Sequence, residues 1–469
     1  MSTIPKTSPL VANQFKNDPR IAAAKSLIQQ ALAEHQRQLT SVRPPNPDLE
    51  QGYQEMIAEF NAVRGGALYY PYLSSGIGNG PFVELADGSV KLDFITGIGV
   101  HGYGHSSPEI VAAGIDAATC DTVMQGNLQQ DVPSLEFSKL IVGLACESGA
   151  KLEHCFLSTS GAMANENALK IAFQRNHPAD RTIAFEHCFA GRTLALSQVT
   201  DKAAYRKGLP PTLNVDYIPF FDAEDPEGST QRAVQVLKDH LARYPGRHAN
   251  LWLEMIQGEG GYYVGDKNFF RELCNVARQN NLAVIVDEVQ SFCRTTRPFA
   301  FQHFELDDVV DIVSIGKISQ ACATLFTTEY KPQPGLISQT FTGSTWSILA
   351  GKAIIEGLVK NGNFGPQGLN VKLHQRFASG LAEIHKKYPA AVGGPYGLGG
   401  MVVFTPFDGS ADKAKDLSFR MYHAGLMSFV AGANPTRIRF LFPLGCTTEH
   451  HIDLACQIIE QCVSDMCQV

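Results

Sequence analysis

The chain has 469 residues, 44% of them hydrophobic and 18% charged, with 39 Lys and Arg against 46 Asp and Glu. This composition excludes a disordered or collagen-like polymer. A net charge of −7 gives no electrostatic reason to expect nucleic acid or an anionic membrane as partner. Eleven cysteines fall in no CxxC or Cys/His zinc spacing, so reduced thiols and no metal site are expected. No apolar run approaches the roughly 18–20 residues of a membrane span, and the opening MSTIPKTSPLVANQF does not read as a secretory signal, so the expected location is cytoplasmic.

Taken in chain order, residues 21–39 read as one helix, which the prolines of VRPPNPD (Val42–Asp48) interrupt. From residue 66 to 105 the text is glycine-rich, and FVELADGSVKLDF reads as a hairpin around Asp87–Gly88. After Pro108, helical stretches at 108–121, 133–148, 162–176, 226–243 and 269–280 alternate with HCFLST, RTIAFE, ANLWLEMI, LAVIVDEV and DIVSIG. Such unbroken apolar runs are expected of strands buried on both faces of a mainly parallel sheet, with ligands at the strands' carboxyl ends. Beyond Gly335 come helices at 348–360 and 371–388, a glycine-rich strand pair at 392–407 and a last helix at 449–463. The expected organisation is therefore an N-terminal segment (1–65), a large α/β domain (66–335, of which 66–105 contributes to the small domain) and a small α+β domain (336–469).

Two strand ends carry the chemistry. LAVIVDEVQ closes on Asp287, Glu288 and Gln290, and DIVSIG leads directly into Lys317. Separately, each could be an ordinary solvated strand end. Together they put an acid and an amine at one sheet edge, the pair that pyridoxal phosphate needs for its pyridine nitrogen and its aldehyde. FLSTSGAMANENALK is strand, hydroxyl-rich loop and helix, so amides near Ser160, Gly161 and Ala162 could cradle a phosphate or simply be N-capped. HCFAGRT offers Phe189 and Arg192, IQGEGG puts Glu259 in a flexible loop, and TRIRFLFPL buries Arg439 in an apolar stretch. Arg439 could be paired structurally or could bind a carboxylate. Gly97, Gly99 and Gly102 match GxGxxG, but no helix opens at once after them, so a glycine-rich strand or turn is the better reading than a dinucleotide site.

With DFITGIGVHGYGHSSPE added, these motifs resemble, in order, those of class III aminotransferases, fold type I pyridoxal phosphate enzymes, from about Gly66 to the last helix. The resemblance implies that Lys317 carries the cofactor as a Schiff base and shuttles the proton, and that Asp287 pairs with the pyridine nitrogen. It implies Gln290 at the ring hydroxyl, Val289 and Phe189 on the ring faces, and Gly161 and Ala162 at the phosphate. Thr345 is similar to a threonine lent to the phosphate across a homodimer interface, which implies shared active sites. Arg439 would take an α-carboxylate and Arg192 the distal carboxylate of glutamate or 2-oxoglutarate, with Glu259 pairing Arg439 when an ω-amino donor is bound. Ile98 stands where ornithine aminotransferases have tyrosine, and GKISQACA with the later GSTW looks most like L-lysine 6-aminotransferases. Met163, Ala190 and Met255–Ile256 depart from the family's usual residues, which bears on the substrate more than on the cofactor. The expected reaction is ping-pong transfer of a terminal amine to 2-oxoglutarate. The alternatives are a lyase, decarboxylase or aminomutase on the same fold, a catalytically silent binding protein and, remotely, a nicotinamide oxidoreductase.

Overall fold

The computed structural model describes residues 10–468. Its chain divides into two units by contact density, one of residues up to 119 with 357–363 and 369 onward, the other of residues 120–356 and 364–368. Residues 66–119 group with the C-terminal residues of the first unit, and 336–356 with the second. Sheet contacts explain the first grouping, since Val90–Asp93 is paired in parallel by Leu426–Met427, more than 300 residues downstream.

The second unit is built on a seven-stranded sheet. Its strands are β1 (His154–Ser158), β2 (Arg181–Phe185), β3 (Asn214–Ile218), β4 (His248–Leu253), β5 (Ala283–Glu288), β6 (Ile312–Ile315) and β7 (Cys322–Phe326), in the order β1-β7-β6-β5-β4-β2-β3. Only β7 runs against its neighbours, antiparallel to both β1 and β6. Strands β4, β5, β6 and β7 are buried at every residue, the physical reason the sequences of β4, β5 and β6 read as apolar runs. Helix Lys267–Gln279 presents Phe269, Phe270, Leu273, Val276 and Ala277 inward. Phe185 on β2 lies 5.6 Å from Phe269 and 4.9 Å from Phe220, an aromatic core under that part of the sheet. The strand read as ANLWLEMI ends at Leu253, and Ile256–Gln257 starts a separate two-stranded ribbon with Tyr263–Val264.

The first unit holds two four-stranded sheets. One runs Ser74–Asn79, Phe82–Leu85, Val90–Asp93, Leu426–Met427, and includes the expected hairpin; the other runs Val392–Leu398, Met401–Pro406, Arg437–Phe440, Phe429–Ala431. Its N-terminal part has three helices, Val11–Lys16, Pro19–Gln36 and Pro47–Arg64. The third was not anticipated, because the proline run that breaks one helix also starts the next. Asn46 caps it by accepting the Asp48 N–H at 3.0 Å, and Pro47 takes a first-turn position where no N–H is needed. The GxGxxG stretch forms no phosphate loop. Thr96, Gly97, Ile98 and Gly99 all have positive φ (50°, 62°, 63° and 81°), a left-handed turn that is unusual at two β-branched residues. Asp93 holds it, accepting the N–H groups of Ile95 and Thr96 at 3.0 and 2.7 Å while its other oxygen meets His105 Nε2 at 2.9 Å.

Candidate active site

A cavity of about 330 Å³ opens at the carboxyl ends of the second unit's central strands. Its walls include Gly161, Ala162, Phe189, Arg192, Asp287, Val289, Gln290 and Lys317, eight of the residues singled out from the sequence. Four of these, Asp287, Val289, Gln290 and Lys317, come from two adjacent parallel strands and the turns after them. Asp287 lies opposite Ser314 in the β5–β6 register, and Lys317 follows two residues after β6 ends. Lys317 itself has φ 55°, so the chain turns out of the sheet through a left-handed residue at the point of chemistry.

Asp287 is 7% exposed and is fixed from both sides. Its Oδ1 accepts the Val289 N–H at 2.9 Å and its Oδ2 accepts Asn165 Nδ2 at 2.7 Å. Asn165 in turn donates to the Ala190 carbonyl at 2.7 Å and accepts a hydrogen bond from the Ser314 hydroxyl, which locks the amide's orientation. Burial pushes the Asp287 carboxyl up to about 6, with the Val289 N–H, Asn165 and the Lys317 charge acting in opposition.

A second buried acid, absent from the sequence expectations, also lines the cavity. Glu254, just past β4, accepts the Gly258 N–H at 2.8 Å with Oε1 and the Phe189 N–H at 3.0 Å with Oε2. It thereby ties together two loops that reach the cavity. Burial, reinforced by the nearby charge of Asp287, pushes its carboxyl up to about 8. The signal was present in the sequence, an acid at the end of a buried strand like the one that singled out Asp287. Asn165 could have been found too, one helical turn after Gly161 on the same face of its helix.

The helix Gly161–Arg175 starts against the same cavity. Ser160 is its N-cap and accepts the Met163 N–H at 3.2 Å, which leaves the first-turn amides of Gly161 and Ala162 without intrahelical acceptors. A Cβ on Gly161 would lie 2.6 Å from Val289 Cγ1, so only glycine lets this helix start pack against Val289. Arg192 is exposed, with its guanidinium carbon 4.0 Å from the Tyr205 ring centroid.

The other expected residues lie elsewhere. Thr345 begins the helix Thr345–Lys360 and is 2% exposed. Its hydroxyl donates to the Thr122 carbonyl and accepts Gln125 Nε2 at 3.1 Å, and it does not line this cavity. Glu259 sits half-buried in the turn of the ribbon formed by Ile256–Gln257 and Tyr263–Val264, pinned by the Tyr262 N–H to Gln257 carbonyl bond of 2.8 Å. Ile98 and Arg439 belong to the first unit: Ile98 is in the left-handed turn, and Arg439 is fully buried in strand Arg437–Phe440, 5.2 Å from the Phe429 ring centroid. None of the eleven cysteines forms a disulfide, and among the described residues no group of three or more His, Cys, Asp or Glu could hold a metal and no helix is long and apolar enough to cross a membrane.

These residues fit pyridoxal phosphate. A buried acid faces the cavity together with an amine, a helix start supplies two amides, and Gln290 Oε1 is buried with no hydrogen-bond partner. Comparison with known proteins decides the family. The family model "Aminotransferase class-III" matches residues 72–463. The chain belongs to the class III aminotransferases. It is 28% identical over 408 residues to the acetylornithine aminotransferase of Methanocaldococcus jannaschii, covering 83% of this chain and 93% of that one. It is 27% identical over 393 residues to a probable 4-aminobutyrate aminotransferase of Bacillus subtilis, covering 78% and 87%. The M. tuberculosis lysine aminotransferase in its internal aldimine form superposes with a TM-score of 0.77 at 22% identity, covering 87% of this chain and all but 1% of that one, a likeness of fold. This aminotransferase is therefore a pyridoxal phosphate enzyme of fold type I, and the nicotinamide and silent-scaffold alternatives fall away as family assignments.

Proposed function

We propose that this aminotransferase moves the terminal amine of an ω-amino or diamino acid to 2-oxoglutarate, in two half-reactions at one site. The observation that carries the reading is the shared cavity of Lys317, Asp287 and Arg192, an amine, a buried acid and a cation on one wall system. Pyridoxal phosphate, when bound, supplies the electron sink for breaking a bond at the amine-bearing carbon. Lys317 then carries a proton to and from that carbon, positioned by the turn after β6. Asp287 stays ionised against the protonated pyridine nitrogen, its oxygens aimed by Asn165 and the Val289 N–H. Gln290 Oε1 accepts the ring hydroxyl, while Phe189 and Val289 bracket the ring. The amides of Gly161 and Ala162 take the phosphate at the positive end of their helix.

Arg192 takes the distal carboxylate of the acceptor. The roles of Arg439, Glu259 and Ile98 remain those implied by the family resemblance, as does that of Thr345 in a homodimer with shared sites. Relatives named for acetylornithine and 4-aminobutyrate favour a donor with an amine remote from its carboxylate, and the sequence around Lys317 leans toward lysine. The test is visible absorption of the purified protein with L-lysine, ornithine, N-acetylornithine, 4-aminobutyrate and glutamate added one at a time. A yellow band bleached by one ω-amine and restored by 2-oxoglutarate is the expected result. Bleaching by none of them, or consumption of donor without stoichiometric glutamate, would sink the reading.

A further inference from the structure

Tyr205 was not singled out by any motif, yet it touches two residues of the cavity wall. Its ring centroid lies 4.0 Å from the Arg192 guanidinium carbon and 6.3 Å from the Phe189 centroid, edge-on at 86°. A guanidinium at that distance is attracted by the negative face of the ring. Lys202 Nζ lies 4.8 Å from the same centroid, so the ring serves two cations. Among the described residues Arg192 has no ion-pair partner, so this aromatic contact is what orders an otherwise exposed, rotamer-rich side chain.

The backbone beside the ring is anchored. Tyr205 sits in the short helix Ala203–Arg206, and the next residue anchors that helix. Arg206 Nη1 donates to the Tyr217 hydroxyl at 2.7 Å and to the Thr200 carbonyl at 3.2 Å, and the Tyr217 hydroxyl donates to the Gln198 carbonyl at 2.6 Å. The chain at position 205 is thus held to β3 and to the segment Gln198–Thr200 after Arg192, while the ring itself meets Arg192, Lys202 and Phe189.

We propose that Tyr205 is a positioning residue for carboxylate recognition: its ring holds Arg192 at the cavity wall and thereby sets the preference for a ligand with two carboxylates over one with a single carboxylate. The inference rests on the reading of Arg192 given above and names the residue that makes that reading selective. A guanidinium already oriented loses less freedom on binding a carboxylate bidentately than one free in solvent.

The test uses the cofactor-loaded protein and two probes, glutarate (two carboxylates) and butyrate (one), with dissociation constants measured by calorimetry at fixed ionic strength. Tyr205→Leu removes the ring's charge distribution and is expected to weaken glutarate about four-fold relative to butyrate. Tyr205→Phe keeps the ring and is expected to rescue the ratio. Pentafluorophenylalanine at position 205 keeps the shape but cancels the negative face, so it should behave as Tyr205→Leu does; it also carries the test if the leucine variant does not fold. With 2-oxoglutarate as substrate, the change should appear in KM rather than kcat. Equal weakening of both probes, or a phenylalanine variant as weak as the leucine one, would overturn the proposal. Arg192→Ala separates the two layers. If it leaves the glutarate preference intact, the Arg192 reading fails; if it abolishes the preference while the ring variants do not, only the role of Tyr205 fails.

Discussion

Asp287 accepts one protein hydrogen bond on each oxygen, and an asparagine in its place could accept only one of them. Its amide nitrogen would face either the Val289 N–H or Asn165 Nδ2, donor against donor. Asp287→Asn is therefore expected to lower turnover by about 10² or more, the scale of a lost proton-controlling group, while the protein stays folded; steady-state kinetics with circular dichroism checks this. The neighbouring Glu254 supports a pH prediction. Its folded-state carboxyl titrates at about 8, above the ordinary value of 4.5, because ionising it in the buried site is costly. A raised carboxyl stabilises the fold fully below its unfolded value and loses that contribution as pH rises through its folded value. The difference in melting temperature between wild type and Glu254→Gln, both cofactor-free, should therefore move against the wild type between pH 5.5 and pH 8.5. A difference independent of pH would mean that Glu254 is ionised throughout.

One helix start carries an N-cap and, in the proposed function, the phosphate, and two substitutions separate the roles. Ser160→Ala removes the acceptor for the Met163 N–H and should cost about 1 kcal/mol of stability, measured by denaturant unfolding, the usual scale for a lost N-cap. Gly161→Ala puts a methyl 2.6 Å from Val289 Cγ1, against a side chain read as one bracket of the cofactor ring. Relief requires Val289 to shift, so cofactor affinity should fall about ten-fold, the equivalent of modest overpacking, with little change in helix content. Titration of the cofactor-free protein followed by absorbance measures it. If both variants lost only stability, the helix start would be an ordinary cap and no phosphate site.

For the whole molecule, the exposed apolar residues of the second unit are concentrated on two paired segments. Val123, Leu128, Phe341 and Trp346 are 71%, 99%, 55% and 53% exposed. Met124–Gln125 pairs with Gly343–Ser344, and the Asn127 N–H donates to the Gln339 carbonyl at 3.3 Å, so both segments share one surface. Exposed apolar residues on paired segments beside Thr345 are what the proposed homodimer needs. Sedimentation of the wild type should give a dimer, and Trp346→Asp with Leu128→Asp should shift it to monomer with loss of activity. A wild type that sediments as a monomer at micromolar concentration would remove the shared-site reading of Thr345.

Strand ends were the most legible part of the site. A strand buried on both faces is written as an unbroken apolar run, so the polar residue that ends it stands out: Asp287 after VIV, and Lys317 after IVSIG. The third N-terminal helix and the antiparallel strand Cys322–Phe326 were not legible, because each follows a segment that locally favours an ending. What the chain alone determined was thus the element types, the acid and amine, and through its motifs the family. Only the tertiary structure decided that Asn165 orients Asp287, that Glu254 joins two cavity loops and that Tyr205 meets Arg192. Those facts depend on register and on contacts between residues tens to hundreds apart, where side-chain direction and distance are set by packing and not by the neighbouring sequence.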